Sequence, residues 1–203
     1  MTTLFQQRIN RLVHSSPADA LRGGLKGVEK ESLRVRADGM LADTPHPPAL
    51  GSALANRYIT TDFSEALLEF VTPAFANTWE ALRFLCDIHQ FTYARLEDEL
   101  LWATSMPCRI PAESEIPLAQ YGTSNVGRMK MIYRRGLGFR YGRVMQTIAG
   151  IHFNYSLPEA FWPLYLDLER TTNDLQPFRS ASYLGLIRNF RRIGWLVLYL
   201  FGA

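Results

Sequence analysis

The sequence predicts an α+β fold, and three observations carry that prediction. Residues 24–36, GLKGVEKESLRVR, alternate with the two-residue period of a strand. Residues 4–13 set Leu4, Phe5, Ile9, Leu12 and Val13 near helical spacing. Strands and helices then follow one another without the strict βαβ rhythm of a doubly wound sheet. With 203 residues, 47% hydrophobic and 20% charged, the chain has the composition of a globular protein and can bury a core without disulfides.

Each element has a local reason. The amphipathic stretch 4–13 is expected as a short helix. The strand after Gly23 and Gly24 carries Leu25, Gly27, Glu29, Glu31, Leu33 and Val35 on one side. Lys26, Val28, Lys30, Ser32, Arg34 and Arg36 fall on the other, so the basic residues are expected to face water. Residues 37–56 contain Pro45, Pro47, Pro48, Gly39 and Gly51 and read as a loop or a loose hairpin return. RYITTDFSEALLEFVTP, residues 57–73, reads as extended.

Asn77 followed by Glu80 suggests a capping box opening a helix from about Trp79 to Trp102. Leu82, Leu85, Cys86, Tyr93, Leu96 and Leu100 would form its apolar stripe. A long irregular stretch with three prolines follows, SMPCRIPAESEIPLAQYGTSNVG, of the kind seldom kept without a function. Residues 126–142 are expected to be helical although Gly136 and Gly138 oppose it. RVMQTIAGIHFNYSLP reads as a strand, and PEAFWPLYLDLERTT and FRSASYLGLIRNFRRIGWLVLYL as helices.

Composition narrows the function classes. A net charge of +3, from 22 Lys and Arg against 19 Asp and Glu, is weak support for a polyanionic partner. No secretory signal is evident at the N-terminus. Cys86 and Cys108 match neither a disulfide framework nor a zinc site, which suits a reducing cytoplasm. The apolar run IGWLVLYLFGA, Ile193 to Ala203, falls short of the ~20 residues a membrane span needs. It reads as a docked core helix or as a sign that the chain stops inside a larger fold.

Chemistry concentrates on the three extended segments. Glu29 and Glu31 sit two apart and share a face, and Glu69 lies on the face of Leu67 and Val71, with Asp62 closing YITTD. In the third segment Gln146, His152 and Asn154 fall in register on one face. If the strands are neighbours, these groups form an oxygen-rich cluster suited to Mg²⁺ or Mn²⁺, ions that commonly bring phosphate with them. The bland alternatives are a solvated glutamate pair, a hydrogen-bonded core histidine, and carboxamides that satisfy buried backbone.

A second signal competes with the first. Arg128, Lys130, Arg134, Arg135, Arg140 and Arg143 are interleaved with Tyr133, Phe139 and Tyr141. This is a pattern able to bind single-stranded nucleic acid, to cradle nucleotide phosphates, or simply to cover a solvated helix.

Several blocks are more specific. GVEKESLRV, LGSALANRYITTDFSEALLEFVTP, SMPC, LAQYGTSNVGRMK, RYGRVMQTIAGIHFNYSLPEAFW and RNFRRIGWLVLYLFGA resemble, in this order, the proteobacterial glutamate–cysteine ligases. The resemblance runs from about Gly24 to Ala203 and leaves residues 1–20 and 166–180 unconstrained.

The resemblance implies part of a glutamine-synthetase-like antiparallel sheet curved into a funnel, with helices outside. It also implies a cytoplasmic, ATP- and Mg²⁺-dependent ligase joining the γ-carboxyl of L-glutamate to the amine of L-cysteine through a γ-glutamyl phosphate. Nucleic acid is then no expected partner. By the same resemblance Glu29, Glu31, Asp62, Glu69 and His152 correspond to the metal and nucleotide region. Gln146, Ile148, Gly150 and Asn154 correspond to the glutamate pocket, and Tyr133 to the cysteine pocket. Family members are much longer. Residues 1–203 would therefore be the N-terminal part of one catalytic domain, either inactive alone or working with a C-terminal half chain.

Overall fold

The computed structural model describes residues 3–14, 16–171 and 174–202. Thr172 and Ala203, at the ends of two expected segments, lie outside them. The helices are α1 (Leu4–Val13), α2 (Ser16–Ala20), α3 (Thr78–Tyr93), α4 (Asn125–Tyr141), α5 (Phe161–Leu168), α6 (Leu175–Ile193) and α7 (Trp195–Phe201). The strands are β1 (Leu25–Arg36), β2 (Ile59–Thr61), β3 (Leu67–Val71), β4 (Glu99–Leu101) and β5 (Ile151–Ser156). The mixed, antiparallel α+β architecture is as the sequence predicts. Contacts divide the chain into two compact units: Leu25–Ser156, and the segments before and after it.

The unit Leu25–Ser156 is built around β1. β3 pairs antiparallel with one edge, from Glu29↔Val71 to Leu33↔Leu67, and β2 continues outward through Ile59↔Phe70 to Thr61↔Leu68. β5 takes the other edge from Leu25↔Ser156 to Lys30↔Ile151, and β4 pairs with Arg34–Arg36. Residues 57–73 therefore form a hairpin rather than one extended run. Thr61 and Leu67 flank its turn, where the Asp62 N–H donates to Leu67 O at 3.0 Å.

Registry decides which face is covered. Ile59, Leu68 and Phe70 pack with Leu50, Ile88, Leu96 and Leu101, backed by Phe84 and Leu85 of α3. Lys30 and Ser32 oppose Phe70 and Leu68, so the basic side of β1 lies on this helix-covered face. That corrects the expectation of a wet basic face. Ser32 and Arg34 are buried, and burial pushes the half-buried Lys30 ammonium below its usual range. The glutamate side is apolar only at its far end, where Leu33 and Val35 join Leu41, Ala66, Leu67 and Ile116.

Asn77 caps α3 by accepting from Trp79 N at 2.8 Å. Replacing it by Ala is expected to cost about 1 kcal/mol, read as a lowered urea midpoint with unchanged slope. The helix ends at Tyr93, not near Trp102, because Arg95 N and Leu96 N both turn back to Thr92 O and Glu99–Leu101 is claimed by β1. The fully buried helix residues are Ala81, Ile88 and Thr92; of the expected stripe Leu85 and Leu96 pack in the core, whereas Leu82, Cys86, Tyr93 and Leu100 are exposed.

The third expected strand is also shorter. Val144–Thr147 is a 3₁₀ turn, held by Arg143, whose N–H donates to Glu113 and whose guanidinium donates to Ser114 O and Ile116 O.

In the other unit, Thr3 caps α1 and Arg8 pairs with Glu169 at 2.6 Å. Trp162 and Phe161 are buried, with Trp162 against Tyr183 at a ring separation of 4.9 Å. The far end of α6 and all of α7 leave Phe190, Leu198, Tyr199 and Phe201 widely exposed. No helix among the described residues is long and apolar enough to cross a membrane.

Candidate functional site

The uncovered face of the sheet gathers the acids from separate strands. Glu31 lies directly opposite Glu69, and Thr60 opposite Glu69 on its other side. Directly opposed residues of an antiparallel pair have Cβ atoms about 4.5–5.5 Å apart, so two like charges there repel. Asp62 follows β2 and joins them, and Glu29 is paired across the other edge with His152. The His152 Nδ1 stands 3.3 Å from Glu29 Oε2, and the Gly150 N–H donates to Glu31 Oε2 at 2.7 Å.

The electrostatics follow from this crowding. Burial, then Asp62, Glu31 and Glu29, push the Glu69 carboxyl up to about 7, with the His152 ring opposing. Burial also raises Glu31, against the stabilising Gly150 N–H. Among the described residues no lysine or arginine forms an ion pair with any of the four acids. No three of the described His, Cys, Asp or Glu side chains converge closely enough to hold one ion as they stand. The face thus presents crowded carboxylates, hard oxygen donors of the type magnesium prefers.

The remaining expected residues are distributed less tightly. Asn154 stands opposite Gly27, in line with His152. Gln146 lies in the 3₁₀ turn and Ile148 just past it, so neither is in strand register with His152, contrary to the sequence reading. Ala149 N donates instead to Ser105 O, which turns this segment before β5 begins. Gly150 is at a point of close approach: a Cβ there would lie 3.2 Å from His152 Nε2 and 3.6 Å from Glu31 Oε2. Its backbone bond to Glu31 is invisible to any side-chain pattern. Tyr133 is exposed on α4.

The basic helix is partly committed to structure. Arg134 donates from Nε to Asp62 O and lies over the Tyr121 ring, and Arg143 holds the preceding loop. Two of the cations that suggested a nucleic-acid face are therefore engaged internally.

Comparison with known proteins bears on this arrangement. The family profile described as glutamate-cysteine ligase matches residues 9–203. The chain is 56% identical over 198 residues to a glutamate–cysteine ligase of Alcanivorax borkumensis, covering 98% of this chain and 38% of the relative. It is 54% identical over 203 residues to one of Pseudomonas putida, again covering 38% of the relative.

Among solved structures, a glutamate–cysteine ligase of Francisella tularensis in complex with AMP superposes with a TM-score of 0.81 at 38% identity, over 89% of this chain and 35% of that one. A bifunctional glutathione synthetase of Pasteurella multocida gives 0.83 at 33% identity, over 96% and 24%. The chain thus spans well under half the length of these relatives. With a profile match over nearly the whole chain and the acids gathered on one sheet face, the chain belongs to the glutamate–cysteine ligase family and corresponds to the N-terminal portion of its longer members.

Proposed function

We propose that this chain contributes the metal- and nucleotide-binding face of an ATP-dependent ligase that joins the γ-carboxyl of L-glutamate to the amino group of L-cysteine, the first step of glutathione synthesis. One observation carries the reading: Glu31 and Glu69 oppose each other, beside Asp62 and Glu29, with no lysine or arginine paired to them among the described residues. Such a surface costs free energy unless a cation enters it.

Glu29, Glu31, Asp62 and Glu69 would hold Mg²⁺ or Mn²⁺, with His152 beside them. The ion would supply charge neutralisation for ATP phosphates during phosphorylation of the glutamate γ-carboxyl. The chain's own groups have distinct tasks. The Gly150 N–H orients Glu31, and His152 restrains Glu29. Gln146, Ile148, Gly150 and Asn154 would line the glutamate pocket, and Tyr133 the cysteine pocket.

The residues form part of one catalytic domain whose remainder corresponds to the rest of the relatives' polypeptide length. The broad exposed apolar faces of α4, β5 and α7 fit coverage by such polypeptide. Both thiols are free, Cys86 exposed and Cys108 buried, as suits a reducing cytoplasm.

The test combines this chain with a polypeptide spanning the remaining length of the Alcanivorax borkumensis relative and follows ADP release. Release that requires glutamate, cysteine and Mg²⁺ is expected, with Glu29→Ala lowering it by about 10²-fold or more, on the scale of losing an electrostatic contact in a transition state. Release independent of cysteine, or wild-type turnover in Glu29→Ala, would sink the assignment. Activity of the 203-residue chain alone would remove the need for a partner.

A further inference from the structure

Asp62 differs from the other acids in how it is held. Glu29, Glu31 and Glu69 sit within paired strands, but Asp62 lies just past β2, at the start of a turn. Its N–H donates to Leu67 O at 3.0 Å, and its carbonyl is held by side chains from elsewhere in the chain. The Tyr121 hydroxyl donates to Thr61 O at 2.6 Å, accepts from Thr61 Oγ1 at 3.1 Å and lies 3.2 Å from Asp62 O. The Arg134 Nε donates to the same Asp62 carbonyl.

The two gripping residues also hold each other. The Arg134 guanidinium stands 4.7 Å from the Tyr121 ring centroid, a cation–π distance, and Tyr121 is only 5% exposed. Helix α4 is pressed against the Tyr121 backbone at Gly127, where a Cβ would come within 2.4 Å of Tyr121 O. The helix, the tyrosine and the turn therefore form one rigid connection that ends at the Asp62 main chain. Its carboxylate is near enough to Glu31 and Glu69 for its charge to raise the pKa of both.

We propose that Tyr121 and Arg134 are positioning residues that fix the Asp62 carboxylate on the acidic face and thereby set its affinity for a divalent cation. The proposal rests on the metal reading above. Both side chains act through the Thr61–Asp62 backbone to which they bond. Residues that orient metal ligands typically change affinity by about 10–100-fold when removed. Tyr133 adjoins Arg134 on α4, so the same helix would link the cysteine pocket to the metal acid.

The experiment titrates the purified chain with Mn²⁺, read by the electron paramagnetic resonance of the free ion, well below each variant's unfolding transition. Tyr121→Phe and Arg134→Gln are each expected to weaken Mn²⁺ binding about tenfold, the lower end of that range. Lys130→Gln is the control: Lys130 lies 4.9 Å from the same ring but does not bond Asp62, and its affinity is expected to match the wild type. In an Asp62→Asn background Tyr121→Phe is expected to add no further loss, since both changes act on one carboxylate.

Wild-type affinity in both Tyr121→Phe and Arg134→Gln would overturn the positioning role while leaving the metal site intact. An equal loss in Lys130→Gln, or full additivity with Asp62→Asn, would assign the effect to the stability of this region and overturn it too. No Mn²⁺ binding by the wild type would remove the metal reading and the proposal with it.

Discussion

Glu99→Ala is expected to lower the unfolding free energy by about 3–5 kcal/mol, because it strands a buried charge. Arg34 lies in the middle of the sheet with its side chain 1% exposed. Its Nη1 donates to Glu99 Oε2 at 2.5 Å and to Thr44 Oγ1 at 2.7 Å, and its Nη2 donates to Thr44 O and Glu65 O. Its Nε has no partner among the described residues.

Glu99 is the counter-charge, and it comes from β4, the short strand displaced from the expected helix. Neutral acceptors alone cannot offset the desolvation of a guanidinium. Urea unfolding monitored by circular dichroism measures the loss. The paired replacement Arg34→Met with Glu99→Leu removes both charges and is expected to recover most of it. A single Glu99→Ala variant with the wild-type midpoint would show that Arg34 is solvated rather than paired.

Glu69→Gln is expected to do two opposite things: stabilise the metal-free chain above pH 7 and abolish much of its Mn²⁺ binding. The Glu69 carboxyl is pushed up to about 7 from 4.5, by burial first and then by Asp62, Glu31 and Glu29. The folded state therefore holds this proton more tightly than the unfolded one. The favourable contribution is complete below about pH 4.5 and is lost as pH rises towards 7.

The carboxyl is only half-buried, so solvent screening reduces the effect to about 1–2 kcal/mol. Glutamine carries no charge and escapes the penalty. Thermal unfolding without divalent ions at pH 5 and pH 8 is the measurement, with the variant's advantage appearing at pH 8 alone. Added Mg²⁺ should then raise the melting temperature of the wild type far more than that of the variant. A variant less stable than the wild type at pH 8 would mean that the carboxylates do not repel one another.

How much was legible beforehand differs from element to element. Alternation in 24–36 placed Glu29 and Glu31 on one face, because the strand period is a local property of the backbone. The same period in 67–71 put Glu69 with Leu67 and Val71. The α1 and α4 helices and the Asn77 cap are likewise local and came out close to expectation. The resemblance of the sequence blocks to glutamate–cysteine ligases carried the family.

The sequence by itself determined which side chains share a strand face; only the tertiary structure decided which face is open. Pairing made Glu31 oppose Glu69 and Glu29 oppose His152, relationships between residues far apart in the chain. Lys30 on the helix-covered face and Arg34 buried against Thr44 and Glu99 reversed the expected wet side, since burial depends on what lies above a strand and not on its own pattern. Long-range hydrogen bonds likewise overrode local propensity in two segments. β1 claimed Glu99–Leu101 from the helical stripe, and the Arg143 and Ser105 contacts bent residues 144–149 out of the strand. The acidic face exists because charges that are independent along the chain are brought together, on the one side of the sheet that α3 leaves uncovered.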